Sequence, residues 1–390
     1  MTATYGVVQG QESAFPKAEY DARVAKARAG LAEAGIDVMI VTGPENIFYL
    51  TGQQTPGYYT FQALLLPVDG EPVFVVRQLE FFNFTANTYI TDAVIYQDTD
   101  DPVRVLMSLI EAKGLKGKRV AIDKRGWFLP IATYETLIAA LGTVHDAAGV
   151  VEKLRMVKSP LEVEKLAIAA TYVDAGLRAG LAAVRAGNTE NDIVAAMMGA
   201  AIEAGSEYMG MEPLVSSGPR SGVPHGTWKR RELQAGDPAF LEMAAVHDRY
   251  HAALMRSAWI GTPPAEALDM MKVCQEALAV SLDAIKPGVA CEVPHIACQK
   301  VIDAAGYTDN FRKRLGYSVG ISFAPDWGEG GILSLNAGVK TELQPGMTFH
   351  LPPALRIYGR FTVGVSETIV VTETGCRVLG TLDRALVQIA

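Results

Sequence analysis

Glu242 stands in Ala239–Val246 (AFLEMAAV), where every other residue is apolar. A carboxylate in such a strand needs a partner or a task, because a buried, unpaired charge is costly. Arg256 in the following strand is the obvious structural partner, and participation in chemistry is the competing reading. His225 lies between Pro224 and Gly226 in the loop SSGPRSGVPHG (Ser216–Gly226), a rigid and open setting; a lone loop histidine is most often a surface residue, and this one gains weight from what surrounds it. His350 interrupts the apolar run MTFHLPPAL (Met347–Leu355), and Glu367 does the same in VGVSETIVV (Val363–Val371). The glycine-rich stretch Gly316–Gly331 also carries Tyr317, Asp326, Trp327 and Glu329, a composition suited to close backbone approach to a ligand, with a wide polar loop as the competing reading. Polar interruptions at Glu242, Tyr317, His350 and Glu367, within what reads as a single sheet, predict a shared polar pocket for a small-molecule substrate. His145, His247, His251 and His295 fall near expected turns, strand ends or helix starts and are assigned no role.

The elements that must position these residues are legible in the pattern. Glu19–Gly35 reads as an amphipathic helix, Asp37–Gly43 as a buried strand, and Phe61–Val76 as two strands turning at Asp69-Gly70. Residues 1–155 are therefore expected to form a small α/β domain. Lys158-Ser-Pro-Leu-Glu162 is a helix start, with Ser159 as N-cap, Pro160 in the first turn and Glu162 completing a capping box. Further helices are predicted from Thr189 to Gly205, Pro264 to Ile285 and Pro294 to Gly306. Strand-rich segments fill Pro238–Gly261, Leu315–Phe323, Met347–Ile357 and Val363–Leu379, so residues 156–390 read as an α+β domain with long helices on an antiparallel sheet.

Composition narrows the function. The 390 residues are 49% hydrophobic and carry a net charge of −8 without a long basic block, which disfavours a nucleic-acid partner. Apolar stretches such as Ala63–Val68 fall short of the ~20 residues of a membrane helix, and the start MTATYGVVQGQESAF lacks the pattern of a signal peptide. The expectation is a soluble, cytoplasmic protein with no membrane partner. Four cysteines, at 274, 291, 298 and 376, show no CxxC spacing and read as reduced thiols. No GxGxxG or GxxxxGK[ST] follows any strand, so no nucleotide cradle is expected.

The succession LRMVKSPLEVEKL, SSGPRSGVPHG, GDPAFLEMAAV, RYHAALMRSAWIG, LGYSVG, LQPGMTFHLPP and VSETIVVTETGCRVL resembles the pita-bread superfamily of creatinase, Xaa-Pro dipeptidases and aminopeptidase P. The likeness covers essentially the whole chain. It implies a pita-bread catalytic domain behind a smaller α/β creatinase-type N-terminal domain. Peptidases of this fold hold two divalent metals with two Asp, one His and two Glu. The matching positions here are Glu242, Ala253 eleven residues on, Tyr317, Pro352 and Ser366. A one-residue shift of the last match recruits Glu367 and still leaves only two carboxylates, so neither metal nor other cofactor is expected.

GYSVG…PDWGE, MTFH and SETIVVTETG are more similar to the metal-free branch of ectoine hydrolase and creatinase, whereas TGQQTPGYYTFQ (Thr51–Gln62) departs from that pattern. The resemblance thus implies a metal-independent hydrolase of a non-peptide C–N bond in a small, polar, nitrogen-rich metabolite. Under it, His225 is the general acid/base, and Glu242 and Glu367 bind a cationic amidine or guanidine, or one of them attacks it. His350 and Tyr317 orient the substrate, Trp327, Asp326 and Glu329 line the pocket, and Tyr58 reaches a partner's site in a homodimer. A proline-directed peptidase and a non-catalytic binding module are the alternatives.

Overall fold

The computed structural model describes residues 7–390. The chain divides into two compact units, Met1–Arg155 and Met156–Ala390. In the first, six strands form one mixed sheet: β1 (Val38–Val41), β2 (Ala63–Pro67), β3 (Val73–Arg77), β4 (Ala93–Tyr96), β5 (Val120–Ile122) and β6 (His145–Asp146), in the order β4-β3-β2-β1-β5-β6. β2 and β3 pair antiparallel around Asp69-Gly70, where Gly70 adopts a φ of 104° that a side chain would resist. Val38, Ile40, Leu65 and Val75 pack beneath the helix Pro102–Ala112 through Leu106 and Ile110.

The second unit begins with the helix Pro160–Ala183, and its start has both halves of the expected capping box, Ser159 and Glu162. Thr189 and Asp192 box the next helix, Glu190–Glu203, in the same way. Both helices cover one face of the strands β7 (Leu214–Ser217), β8 (Pro238–His247) and β9 (Tyr250–Ile260), burying Leu166, Val173, Leu177, Ile193 and Met197 against Leu241, Met243 and Leu254. Pro160–Ala183 is apolar and long enough to cross a membrane by length and composition, and its packing on this sheet makes it a core helix.

A five-stranded sheet, β11-β10-β12-β15-β16, follows, made of β10 (Gly316–Ser318), β11 (Ser334–Leu335), β12 (Thr348–Leu351), β15 (Glu367–Val371) and β16 (Cys376–Val378). A separate hairpin, β13 (Ala354–Ile357) with β14 (Phe361–Gly364), interrupts it in sequence. The helices Ala265–Ala284 and Glu292–Ala304 pack on Phe349, Leu351 and Ile369. Last, β17 (Val387–Ile389) joins β9 in parallel.

The single sheet expected from the sequence is therefore two. Glu242 lies in the four-stranded sheet, while Tyr317, His350 and Glu367 lie in the five-stranded one. β9 ties the sheets together: Thr368 Oγ1 donates to the Ala253 carbonyl at 2.7 Å, and the Met255 N–H donates to Ser366 Oγ at 2.7 Å. Only three residues of Leu315–Phe323 form a strand, because after Ser318 the chain turns into the loop that carries Trp327 and Glu329.

Candidate functional site

Successive residues of β8 point to opposite faces of the sheet. Leu241 and Met243 face the helices, so Glu242 faces away from them, together with Phe240 and Ala244. The register places Met255 opposite Glu242 and Arg256 opposite Leu241. Directly opposed residues share a face, and the ion pair with Arg256 considered from sequence is thereby excluded by geometry. Glu242 is 9% exposed, and its carboxyl makes no hydrogen bond with any described residue. Burial raises its carboxyl above the usual carboxylate range, against the pull of Lys313, Arg356 and His225.

Those three neighbours define the site's electrostatics. His225 is exposed, at the end of the loop that leaves β7, with a φ of 53°. That left-handed conformation is uncommon for a residue with a side chain and needs surrounding structure to hold it. Lys313 and Arg356 were not anticipated. Burial and the nearby Arg356 charge pull the Lys313 ammonium down to about 8, and Glu242 opposes them. Burial likewise lowers Arg356, opposed by Glu242.

Beside this cluster runs a hydrogen-bonded line. Trp327 Nε1 donates to Tyr317 Oη at 2.8 Å, Tyr317 Oη lies 2.9 Å from His350 Nδ1, and His350 Nε2 lies 2.7 Å from Ser366 Oγ. Burial, with the Lys313 and Arg256 charges, depresses His350 to about 3, so its imidazole is neutral. A neutral imidazole carries one N–H. With Nε2 protonated, Tyr317 donates to Nδ1 and the Ser366 hydroxyl proton is left over; with Nδ1 protonated, the spare proton is on Tyr317. Either way the line has one hydrogen bond to offer a ligand. The glycine-rich segment supplies its close approach, since a side chain at Gly328 would meet the Tyr317 ring at 2.6 Å.

A two-metal centre does not fit this donor set. Of the five positions that carry ligands in peptidases of this fold, Ala253 and Pro352 offer no donor atom, and Trp327 fills the space beside Ala253 together with Ala244 and Leu214. Ser366 and Tyr317 are committed to His350. Among the described residues no group of three or more His, Cys, Asp or Glu is placed to hold a metal ion.

Glu367 and Glu329 are engaged with other partners, whereas Trp327 packs on the face of β8 that carries Glu242. Glu367 accepts from Arg256 Nη2 at 3.0 Å and Arg384 Nε at 2.9 Å, while its neighbour Ser366 takes the side facing His350. Glu329 forms a fully buried ion pair with Lys158 at 2.7 Å. Asp326 is exposed and caps the Trp327 and Gly328 N–H groups, and Trp327 itself is buried. Tyr58 belongs to the first unit, where its ring stands edge-on to Phe128.

Residues 164–373 match the metallopeptidase family M24, and residues 23–157 match the creatinase/prolidase N-terminal domain. An ectoine hydrolase of Halomonas elongata is 30% identical, with 95% of this chain and 98% of that protein aligned. An uncharacterized hydrolase/peptidase of Sinorhizobium fredii is 29% identical over 96% and 98%. Among solved structures, the dipeptidase PepE of Mycobacterium ulcerans superposes with a TM-score of 0.82 at 26% identity, covering 96% of this chain and 99% of its own. The prolidase of Thermococcus sibiricus, at 23% identity, shares the fold with a TM-score of 0.86 over 95% and 99%. The chain therefore belongs to metallopeptidase family M24, a hydrolase family, and has the pita-bread fold behind a creatinase/prolidase-type N-terminal domain.

Proposed function

We propose that this family member is a metal-independent hydrolase that cleaves a non-peptide C–N bond of a small, polar, nitrogen-rich metabolite. The observation that carries the proposal is the replacement of the metal-ligand positions by Ala253, Tyr317, Pro352 and Ser366, two of them without donors and two engaged with His350. The likeness to an ectoine hydrolase along nearly the full chain supports it.

Without a metal to acidify water, a side chain must remove its proton. His225 has an exposed imidazole in electrostatic reach of Glu242 and takes this role. The water oxygen bonds to the carbon, its proton passes to the imidazole, and the imidazolium returns a proton to the departing nitrogen as the C–N bond breaks. Glu242 accepts hydrogen bonds from the cationic nitrogen and stabilises it by charge. Glu367, held between two arginines, takes no part in this scheme.

The test is elemental analysis and assay of the purified protein. Hydrolysis of an amidine, guanidine or cyclic amidine that survives prolonged chelation is the expected result. About two equivalents of Mn, Co, Zn or Fe per chain, with chelator-sensitive release of proline from Xaa-Pro dipeptides, would overturn the proposal.

A further inference from the structure

A side chain that makes no hydrogen bonds is placed largely by its backbone. The His225 imidazole makes none with any described residue, and its left-handed φ of 53° has to be imposed by what surrounds the loop. The source of that constraint is Glu190. It opens the helix Glu190–Glu203, where the helix dipole favours a carboxylate, and it is fully buried. Glu190 Oε1 accepts from the Ser217 N–H and hydroxyl, both at 2.9 Å, where the loop leaves β7. Its Oε2 accepts from the Lys229 N–H at 2.7 Å, where the loop returns. One carboxylate thus closes the loop at both ends. Arg220 reaches inside it: Nη1 donates to Glu190 Oε1 at 2.7 Å and Oε2 at 2.5 Å, and Nη2 donates to the Thr227 carbonyl at 2.7 Å, two residues beyond His225. Gly226 seats against β7, where a side chain would meet the Ser216 Cβ at 3.2 Å.

We propose that Glu190 and Arg220 are positioning residues for His225, fixing the backbone on either side of it so that the imidazole is held ready for proton transfer. The proposal rests on the hydrolase reading above, in which His225 carries the proton. An ion pair that served only the start of the helix would end at Ser217. This one continues through the guanidinium, by charge-assisted bonds, to the backbone beside the imidazole. Loss of the bond to Thr227 frees that backbone, and a displacement of about 1 Å at a reacting group can cost about 10²-fold in rate. The β7 end stays anchored without Arg220, because Ser217 Oγ also accepts from Arg231 Nη1 at 2.9 Å, and Arg231 is paired with Asp237 at 2.5 Å.

The test is a double-mutant cycle between Arg220 and His225. Arg220 is 35% exposed, and without it Glu190 keeps the Ser217 and Lys229 donors, so R220M is expected to fold, which thermal unfolding checks. With His225 present, R220M should lower kcat about tenfold to a hundredfold while KM stays within about twofold, and R220K should restore part of the loss. In the H225A background R220M should cost almost nothing more, because the residue it positions is gone. An equal loss in both backgrounds, or an effect confined to KM, overturns the proposal. The His225 C2–H resonance, assigned by its disappearance in H225A, gives a readout that needs no substrate. R220M should shift it and leave the His145 signal in place, and an unmoved His225 signal also overturns the proposal. Should R220M not fold, R220K takes its place in the cycle and in the spectrum. Cleavage of Xaa-Pro dipeptides alone would sink the hydrolase reading, and the positioning role is then judged by the resonance and by the same cycle on a dipeptide.

Discussion

His225 is the residue whose role is most open to a direct measurement. It is exposed, its backbone is in the left-handed region, and it lies within electrostatic reach of Glu242. His225→Ala is expected to lower turnover by about 10²–10⁴-fold with little change in melting temperature, because an exposed ring contributes little to packing. His145→Ala, in a strand of the other unit, serves as the control. Parallel losses in both variants would make His225 a structural residue and move proton transfer elsewhere. Lys313 adds a pH dependence. Its charge is held down to about 8 by burial and Arg356, with Glu242, Cys274 and Cys298 opposing, and His350 beside it is neutral. Affinity for a cationic substrate at Glu242 should therefore rise as Lys313 loses its charge above about 8, and K313M should flatten that part of the profile. A flat wild-type profile from pH 7 to about 9 would refute the assignment. The sequence showed Glu242 readily, since a lone carboxylate in AFLEMAAV has nowhere to hide. It concealed Lys313, because Arg312-Lys313-Arg314 reads as a solvated cationic run, and only the middle residue turns inward.

Glu242 and Glu367 interrupt similar apolar runs, yet only Glu367 is paired with arginines, Arg256 and Arg384, and the reason lies in the elements that carry them. Alternation of polar and apolar residues marks the two faces of a strand when one face meets water. β8 and β15 are covered on both faces, so every position reads as apolar and the side on which a carboxylate emerges is invisible. The capping boxes at Ser159 and Thr189 were readable for the opposite reason: a cap is a local pattern of four residues whose bonds do not depend on tertiary packing. Glu367 accordingly has a structural signature. It is fully buried, Arg256 is fully buried, and the pair is joined by Arg384 and the carbonyls of Leu382 and Asp383. Glu367→Gln leaves a buried guanidinium short of its counter-charge and should destabilise the protein by about 3 kcal/mol. Activity per folded molecule should be nearly unchanged. Denaturant unfolding paired with active-site titration checks this. Near-native stability with a hundredfold loss of turnover would return Glu367 to the catalytic set.

At the scale of the whole molecule, each unit has its own sheet and core, and pH need not act on both alike. In the first unit Asp123, at the end of β5, meets Glu152 from the helix Val150–Met156. From sequence these are two unremarkable carboxylates, one closing the strand RVAIDK and one in a short helix; only the fold makes them neighbours. Burial would raise Glu152, but bonds from Asn46 at 2.5 Å and from the Gly149 N–H at 2.7 Å, with the charge of Arg155, outweigh it and hold the carboxyl low. Asp123 therefore keeps the proton: burial, then the Glu152 charge, raise it to about 6. Its native pKa lies above the unfolded value, so the native state binds more protons between about 4 and 6, and stability falls as pH rises through that window. Because Asp123 is only half-buried, the effect is on the order of 1–2 kcal/mol once solvent screening is allowed for. Carboxylates with depressed pKa, such as Asp192 and Glu292, act in the opposite direction, so the wild-type curve alone does not isolate the pair. Asp123→Asn does isolate it. An Asn oxygen still accepts from the Arg125 N–H but cannot ionise, so the variant should match the wild type near pH 4 and exceed it by about 1–2 kcal/mol at pH 7. Hydrogen exchange of the Val120–Ile122 amides reads the first unit separately from the second. A variant less stable at pH 7, or a difference that does not change with pH, would show that Asp123 is ionised throughout and that Glu152 is not its proton-sharing partner.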